Sequence, residues 1–302
     1  MWRIRFHGRG GQGMKTASRI LGTTFFLAGY EVQDSPRYGA ERRGAPMTAY
    51  VRAGREPIFE RGIITHPDLI VVADRSLLSL PLAGVFQGLT KDTVLLILTE
   101  DTEQNLHIPA ATVKAVLALP LSLTTDGAMS RTRESSACAA AAAALLSLPL
   151  PLLLQSLQEE LHKTASELLQ QNLTGAKAAY ERMFKHQNLV RQSSVNPEAG
   201  YEPPHWIDLQ FEDAHHSAPA IHGEATSLLV KTGAWRSMRP VIDIARCNRC
   251  GLCHTFCPDG VISLSNEGVP EIDYDHCKGC MICKVQCPMH AIDVQTEHGG
   301  TE

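Results

Sequence analysis

The sequence of 302 residues has no large excess of charge of either sign: 28 Lys and Arg stand against 32 Asp and Glu, a formal net charge of −4. The basic residues are dispersed apart from Arg42 and Arg43, so neither nucleic acid nor an anionic membrane surface is expected as a partner. No apolar run follows the first residue, because Trp2, Arg3 and Arg5 interrupt it, and no secretory signal is expected. The most apolar stretch, Ala137 to Leu154, is broken by Ser147, Pro149 and Pro151, and its first half is mostly alanine. It reads as buried helix ends and a turn rather than a membrane span. Eight of the nine cysteines lie between Cys247 and Cys287, and the ninth is Cys138. Such a dense cluster in a chain without a signal points to metal in a reducing cytosol, not to disulfides, and so to a cytoplasmic location.

Hydrophobic periodicity divides the chain. Ile4 and Phe6 sit in a strand-like start, a glycine loop follows at Gly8 to Gly13, and Lys15 to Tyr30 reads as a helix that Gly29 ends. Asp34 to Pro46 reads as a loop, and Met47 to Arg52 and Leu69 to Ala73 as strands. Thr93 to Leu98 is a continuous apolar run, as expected for a strand buried on both faces of a parallel sheet. Glu134 to Leu148, Leu152 to Leu169 and Ala176 to Phe184 read as helices. The alternation predicts an α/β domain of Rossmann-like, parallel-sheet type over 1–184. From Lys185 the chain is polar, with Pro197, Pro203, Pro204 and Pro219, and 185–239 reads as a linker or strap. Trp206 and Trp235 are either the anchors of such a strap or ordinary packing residues. From 240 to 302 an internal repeat of about thirty residues predicts a small α+β domain of the bacterial dicluster ferredoxin type. Within it, Val261 to Leu264 and Pro270 to Tyr274 read as a hairpin, and Val241 to Ile244 and Ala291 to Val294 as the other strand pair.

The repeat carries the strongest signal. Cys247-x-x-Cys250-x-x-Cys253-x-x-x-Cys257-Pro258 is followed by Cys277-x-x-Cys280-x-x-Cys283-x-x-x-Cys287-Pro288, the bacterial four-iron spacing written twice. Three thiolates two residues apart wrap one face of a cubane, and the cysteine before the proline leads away and ligates the other cluster. Two [4Fe-4S] clusters are therefore expected, one held by Cys247, Cys250, Cys253 and Cys287, the other by Cys277, Cys280, Cys283 and Cys257. Structural zinc uses two separated pairs and does not fit the run of four. With every iron bound to a protein thiolate, the domain would carry electrons and substrate chemistry would lie elsewhere. From Pro240 onward four Lys or Arg face nine Asp or Glu, which suits either a basic docking partner or a solvated acidic face.

Gly8-Arg9-Gly10-Gly11-Gln12-Gly13 satisfies G-x-G-x-x-G between a strand and a helix, with Asp34 about twenty residues on. Three readings stay open: a phosphate on the bare amides of a helix N-terminus, with Arg42 and Arg43 as donors; packing or subunit contact; and NAD(P). The weak second strand, Tyr30-Glu31-Val32-Gln33, disfavours the last. Cys138 reads as a small core residue, and His7 and His254 as local hydrogen-bonding residues; no residue is expected to act as acid, base or nucleophile.

Phe6-His7-Gly8-Arg9-Gly10-Gly11-Gln12-Gly13 and Tyr38-Gly39-Ala40-Glu41-Arg42-Arg43-Gly44-Ala45-Pro46 together resemble the gamma subunit of 2-oxoacid:ferredoxin oxidoreductases. Thr232-Gly233-Ala234-Trp235-Arg236 and Arg239-Pro240, leading into the cysteine repeat, resemble the delta subunit, so the chain looks like gamma and delta fused. The resemblance implies a CoA-acylating enzyme, of which the pyruvate type is the expected member. It implies thiamine diphosphate and Mg on partner alpha and beta subunits, coenzyme A as co-substrate and ferredoxin as electron acceptor. No Gly-Asp-Gly thiamine motif stands in this chain, in agreement. It also makes Gly10, Gly11, Gly13, Arg42 and Arg43 candidates for contacting the phosphates of coenzyme A. The competing expectations are an NAD(P)-linked iron–sulfur oxidoreductase and a stand-alone ferredoxin-type carrier with a docking domain.

Overall fold

The computed structural model describes all residues except 38–43, 102–105, 107, 109–112, 124–130, 194–230, 237 and 298–302. The chain divides into two compact units, residues 1–195 and 196–302.

The first unit is built on strands β1 (Trp2–Arg9), β2 (Glu31–Arg37), β3 (Pro46–Gly54), β4 (Leu69–Val72), β5 (Val94–Leu98) and β6 (Ala115–Leu119), in the sheet order β2-β3-β1-β4-β5-β6. β1, β4, β5 and β6 run parallel, whereas β3 lies antiparallel to β1 and β2 antiparallel to β3. The sheet is thus mixed rather than purely parallel. Glu31–Arg37, whose second half was expected to be loop, is its edge strand. An edge strand needs one set of backbone partners and little apolar burial, so its polar run and Pro36 are tolerated there. β4 and β5 are buried along their whole length, which explains their unbroken Leu, Ile and Val.

Four helices, α1 (Met14–Leu27), α2 (Arg131–Leu145), α3 (Leu150–Glu160) and α4 (Ser166–Phe184), share one core with the sheet residues Ile4, Phe6, Val51, Leu69, Val71, Leu96 and Leu98. Ala137 to Ala144 of α2 are buried all round, so the helix shows no apolar stripe; it is an interior helix. Its small side chains let α1 and α4 close on it, and buried polar side chains bond across the helices: Ser136 Oγ pairs with Asn172 Oδ1 at 2.8 Å, and Ser156 Oγ donates to the Ile20 carbonyl at 2.7 Å. The predicted helix Leu152 to Leu169 is two helices, broken after Glu160, and the last helix begins ten residues earlier than expected. Residues on the opposite sheet face, Ile70, Val72, Leu95 and Ile97, pack under Leu77, Ala83 and Val85.

In the second unit, β7 (Met238–Ile242) pairs antiparallel with β10 (Ile292–Thr296), and β8 (Ile262–Leu264) with β9 (Pro270–Ile272). The short helices α5 (Leu252–Thr255) and α6 (Ile282–Val285) begin one residue before Cys253 and Cys283 respectively. The repeat is therefore two interlocked halves, with the first strand paired to the last. Residues 231–236, within the expected linker, pack on this unit, and residues 185–193 pack on the first: Ser193 N–H donates to Asp68 at 2.7 Å and Gln192 accepts from the N-terminus at 2.8 Å.

Among the described residues no helix is long and apolar enough to cross a membrane.

Candidate iron–sulfur centres and glycine loop

Each half of the cysteine repeat wraps a small apolar-walled cavity. Cys247, Cys250, Cys253 and Cys287 line one, with Ile242, Gly251 and Ile292. Cys257, Cys277, Cys280 and Cys283 line the other, with Pro240, Val261 and Ile262. In both cavities three cysteines come from one half and the fourth, the one before proline, from the other half. Among the described residues no three His, Cys, Asp or Glu side chains converge where one metal ion could sit. A zinc ion would need its sulfurs about 2.3 Å from a single point. Thiolates spread around a space instead suit a cluster that offers a separate iron to each.

The surroundings fit an anionic sulfide core. The Arg249 amide points at Cys247 Sγ at 3.4 Å and the Ala291 amide at Cys287 Sγ at 3.3 Å, the type of donor that tunes such centres. Burial raises the Cys253 and Cys277 thiols and pushes Cys283 up to about 11, against amide donors that favour the thiolate. Metal-free, these thiols stay protonated at neutral pH, so loading iron must displace protons and stabilises the fold. His254 Nδ1 meets the Ile262 carbonyl at 2.5 Å, the local structural bond expected of it.

The glycine loop joins β1 to α1. A Cβ on Gly8 would lie 2.5 Å from Met14 Cγ, so glycine there permits the helix to seat on the strand. Gly13, in the left-handed region at φ 75°, caps α1 without a side-chain bond. The Gly10 N–H donates to the Ala45 carbonyl at 2.7 Å, and Gly44 N–H donates to the Gly10 carbonyl at 3.1 Å. Gly10 is therefore spent on holding the start of β3 and is the weakest of the candidate phosphate contacts. Among the described residues the Gly11 and Gly13 amides have no backbone partner. Arg42 and Arg43 lie outside the described residues. Arg9 is fixed on Asp74 (3.2 Å), Ser76 Oγ (2.8 Å) and the Gly44 carbonyl (3.0 Å), and Gln12 accepts from the Arg9 amide at 2.7 Å.

The dinucleotide reading does not meet its topological requirement. It needs a second strand parallel to the first with the acidic residue at its end. Here β3 lies between β1 and β2, and Asp34 accepts a bond from Ser18 Oγ at 2.6 Å. Burial pushes its carboxyl above the usual range, the Ser18 bond opposing.

Sequence reasoning missed two features. One is the polar face of β1, where Arg5 donates to the Ile64, Gly84 and Val85 carbonyls and His7 is buried beside it. Burial and the neighbouring Arg5 charge lower His7 to about 3, a backbone bond to Ala83 opposing, so it is neutral. Both residues line an open cavity of about 740 Å³ with Thr48, Tyr50, His66 and Gln87. The alternation of Arg3, Ile4, Arg5, Phe6 and His7 was the available signal. The other is Arg236, described below.

An α/β domain joined to a doubled four-cysteine domain defines an iron–sulfur protein of the electron-carrying class. Residues 3–182 match the model of the pyruvate ferredoxin/flavodoxin oxidoreductase family, and 240–263 and 270–293 each match the 4Fe-4S binding domain. The chain belongs to the pyruvate ferredoxin/flavodoxin oxidoreductase family. It is 35% identical over 194 residues to the pyruvate/ketoisovalerate oxidoreductases common subunit gamma of Pyrococcus furiosus, covering 60% of this chain and 97% of that one. It is 48% identical over 96 residues to pyruvate synthase subunit PorC of Thermotoga maritima, 32% of this chain and 48% of that one. A solved structure of the Thermotoga maritima pyruvate oxidoreductase subunit PORC shares 27% identity at a TM-score of 0.48, covering 60% of this chain and 95% of that one.

Proposed function

We propose that this chain is the fused gamma–delta, electron-transfer subunit of a CoA-acylating 2-oxoacid:ferredoxin oxidoreductase, of the pyruvate type. The observation that carries this reading is one chain holding both the family's gamma-type domain and two four-cysteine cavities. The overall reaction takes a 2-oxoacid, coenzyme A and two oxidised ferredoxins. It yields an acyl-CoA, carbon dioxide, two reduced ferredoxins and a proton. Thiamine diphosphate and Mg belong to alpha and beta partner subunits in a cytoplasmic complex.

In this chain, Cys247, Cys250, Cys253 and Cys287 hold one [4Fe-4S] cluster and Cys257, Cys277, Cys280 and Cys283 the other, each supplying reversible one-electron storage. Ile242 and Ile292 line the first cavity and Ile262 the second, giving each an apolar wall. The amides of Gly11 and Gly13 at the start of α1, with Arg42 and Arg43, are the groups offered to the phosphates of coenzyme A. The domain limits that suit this reading are 1–184 for the gamma part and 240–302 for the cluster part, joined by 185–239.

The test is anaerobic isolation of the tagged chain from its native host with its partners, followed by viologen reduction with a panel of 2-oxoacids, with and without coenzyme A. Reduction with one 2-oxoacid that requires coenzyme A is expected. No reduction from a preparation with intact clusters and all partners overturns the reading in favour of a stand-alone carrier.

A further inference from the structure

The two cavities have the same cysteine spacing but not the same backing. Thr232 to Met238 folds over the turn Tyr274 to Gly279, which carries Cys277 and leads to Cys280. Gly233 N–H donates to the Asp275 carbonyl at 2.8 Å and Thr232 Oγ1 to the His276 carbonyl. Arg236 lies beneath that turn, 7% exposed. Its Nη1 donates to the Cys277 carbonyl at 2.9 Å and to the Tyr274 carbonyl. Its Nε and Nη2 form a two-pronged pair with Glu297, each at 2.6 Å. The fit needs two glycines: a Cβ on Gly233 would stand 2.2 Å from the Tyr274 oxygen, and one on Gly279 2.3 Å from the Met238 oxygen. Among the described residues the first cavity has no such backing. Arg246 and Arg249, the cations near it, are exposed, and Arg246 is engaged by Asp243, Asp293 and the His290 carbonyl.

Reduction adds one negative charge to a cluster. A cation fixed in a dry place stabilises that charge far more than one in water. The Arg236–Glu297 pair is oriented, with Nη1 turned to the backbone of a cluster ligand and the carboxylate on the other nitrogens, so its field at the second cavity is positive. Burial works the other way: Cys277 and Cys283 are buried, whereas Cys247 and Cys253 are not fully so, and a drier cluster is harder to reduce.

We propose that Arg236 is the tuning residue of the second cluster, the one held by Cys257, Cys277, Cys280 and Cys283, raising its reduction potential against the effect of its burial. This rests on each four-cysteine cavity holding a four-iron cluster. Arg236 touches no substrate and acts through the ligand loop.

The test is an EPR-monitored redox titration of the full chain, with signals assigned by Cys250→Ser and Cys280→Ser, each of which perturbs its own cluster. Arg236→Gln is expected to move the electron about tenfold toward the first cluster, about 59 mV for one electron, with the first cluster's own potential unchanged. Glu297→Gln, which leaves the cation unpaired, is expected to shift the second cluster the opposite way, and the double variant to lie below the wild type but above Arg236→Gln. If Arg236→Gln loses the second cluster, Glu297→Gln alone decides. Equal shifts at both clusters, or no shift in Glu297→Gln, overturn the proposal. Absence of four-iron signals from the wild-type chain overturns the cluster assignment instead.

Discussion

Arg3 and Arg52 face each other across β1 and β3, and both are buried, at 8% and 1% exposure. Like charges in that position repel. What allows them is Glu60: its Oε2 accepts from Arg3 Nη2 at 3.0 Å and Nε at 3.1 Å, and its Oε1 from Arg52 Nε at 2.9 Å. Gln33 Oε1 and the Gly62 carbonyl complete Arg52. Glu60→Gln keeps the size of the side chain but removes the charge and turns an amide N–H₂ toward guanidinium donors. Removing one partner of a buried pair costs about 3–5 kcal/mol. Glu60 keeps 18% of its side chain exposed, so about 3 kcal/mol is expected, or roughly 6–12 °C in Tm for a unit of this size. Burial pushes the Glu60 carboxyl up, but the hydrogen bonds and charges of Arg3 and Arg52 outweigh it and hold it below the usual range. A depressed carboxyl contributes stability above its unfolded pKa and loses it as pH falls through the folded value. Glu60→Gln should therefore also flatten the acid limb of the stability profile. Calorimetry of the intact chain, with the transition assigned by hydrogen exchange of β1 and β3 amides, measures both. A loss below about 1 kcal/mol, or an unchanged acid limb, refutes the reasoning.

Cys287→Ser should alter the EPR signal of the cluster held by Cys247, Cys250 and Cys253 and spare the other, and Cys257→Ser should do the reverse; a change at the neighbouring cysteines instead would show ligation within each half. Asp68 accepts backbone N–H groups of Arg3 and Ser193 at 2.7 Å each, yet burial pushes its carboxyl up to about 6. The folded chain then binds the proton more readily than the unfolded one, so this group's contribution falls as pH rises from about 4 to about 6, by up to about 3 kcal/mol. Urea unfolding across that range should show the slope, and Asp68→Asn should remove it. Gly8→Ala should cost about 1–3 kcal/mol by pushing Met14 off β1, read as a lowered Tm with loss of exchange protection at the start of α1.

The cluster domain was legible because its information is local. Ligand spacing and a proline mark three thiolates within one turn of chain, and the internal repeat points to the fourth in the other half. α1, β4 and β5 were legible for a related reason: each buries an apolar face or both faces, and the pattern says so. β2 was not, because an edge strand pairing only with β3 needs no apolar alternation. The break after Glu160 was missed because α3 and α4 both carry leucines at helical spacing, and nothing between Leu161 and Ala165 is a strong breaker. Arg236 was visible only as part of a resemblance. Its role depends on contacts 38, 41 and 61 residues away, which no local pattern carries.

The glycine loop shows how topology decides between chemistries that share a motif. Taken alone, Gly8 to Gly13 before a helix suits a dinucleotide as well as any other phosphate. The hairpin of β2 and β3 changes what stands beside it. In place of a parallel strand ending in an acidic residue, β1 has β3 as its neighbour, and Gly10 holds Gly44 and Ala45 by paired backbone bonds. Those are the residues that follow Arg42 and Arg43. The loop whose Gly11 and Gly13 amides have no backbone partner among the described residues thus also holds Gly44 and Ala45, while Asp34 is turned to Ser18 on α1. The acidic acceptor that a dinucleotide ribose needs is thus missing from its usual place, whereas the Gly11 and Gly13 amides would suit any phosphate-bearing group.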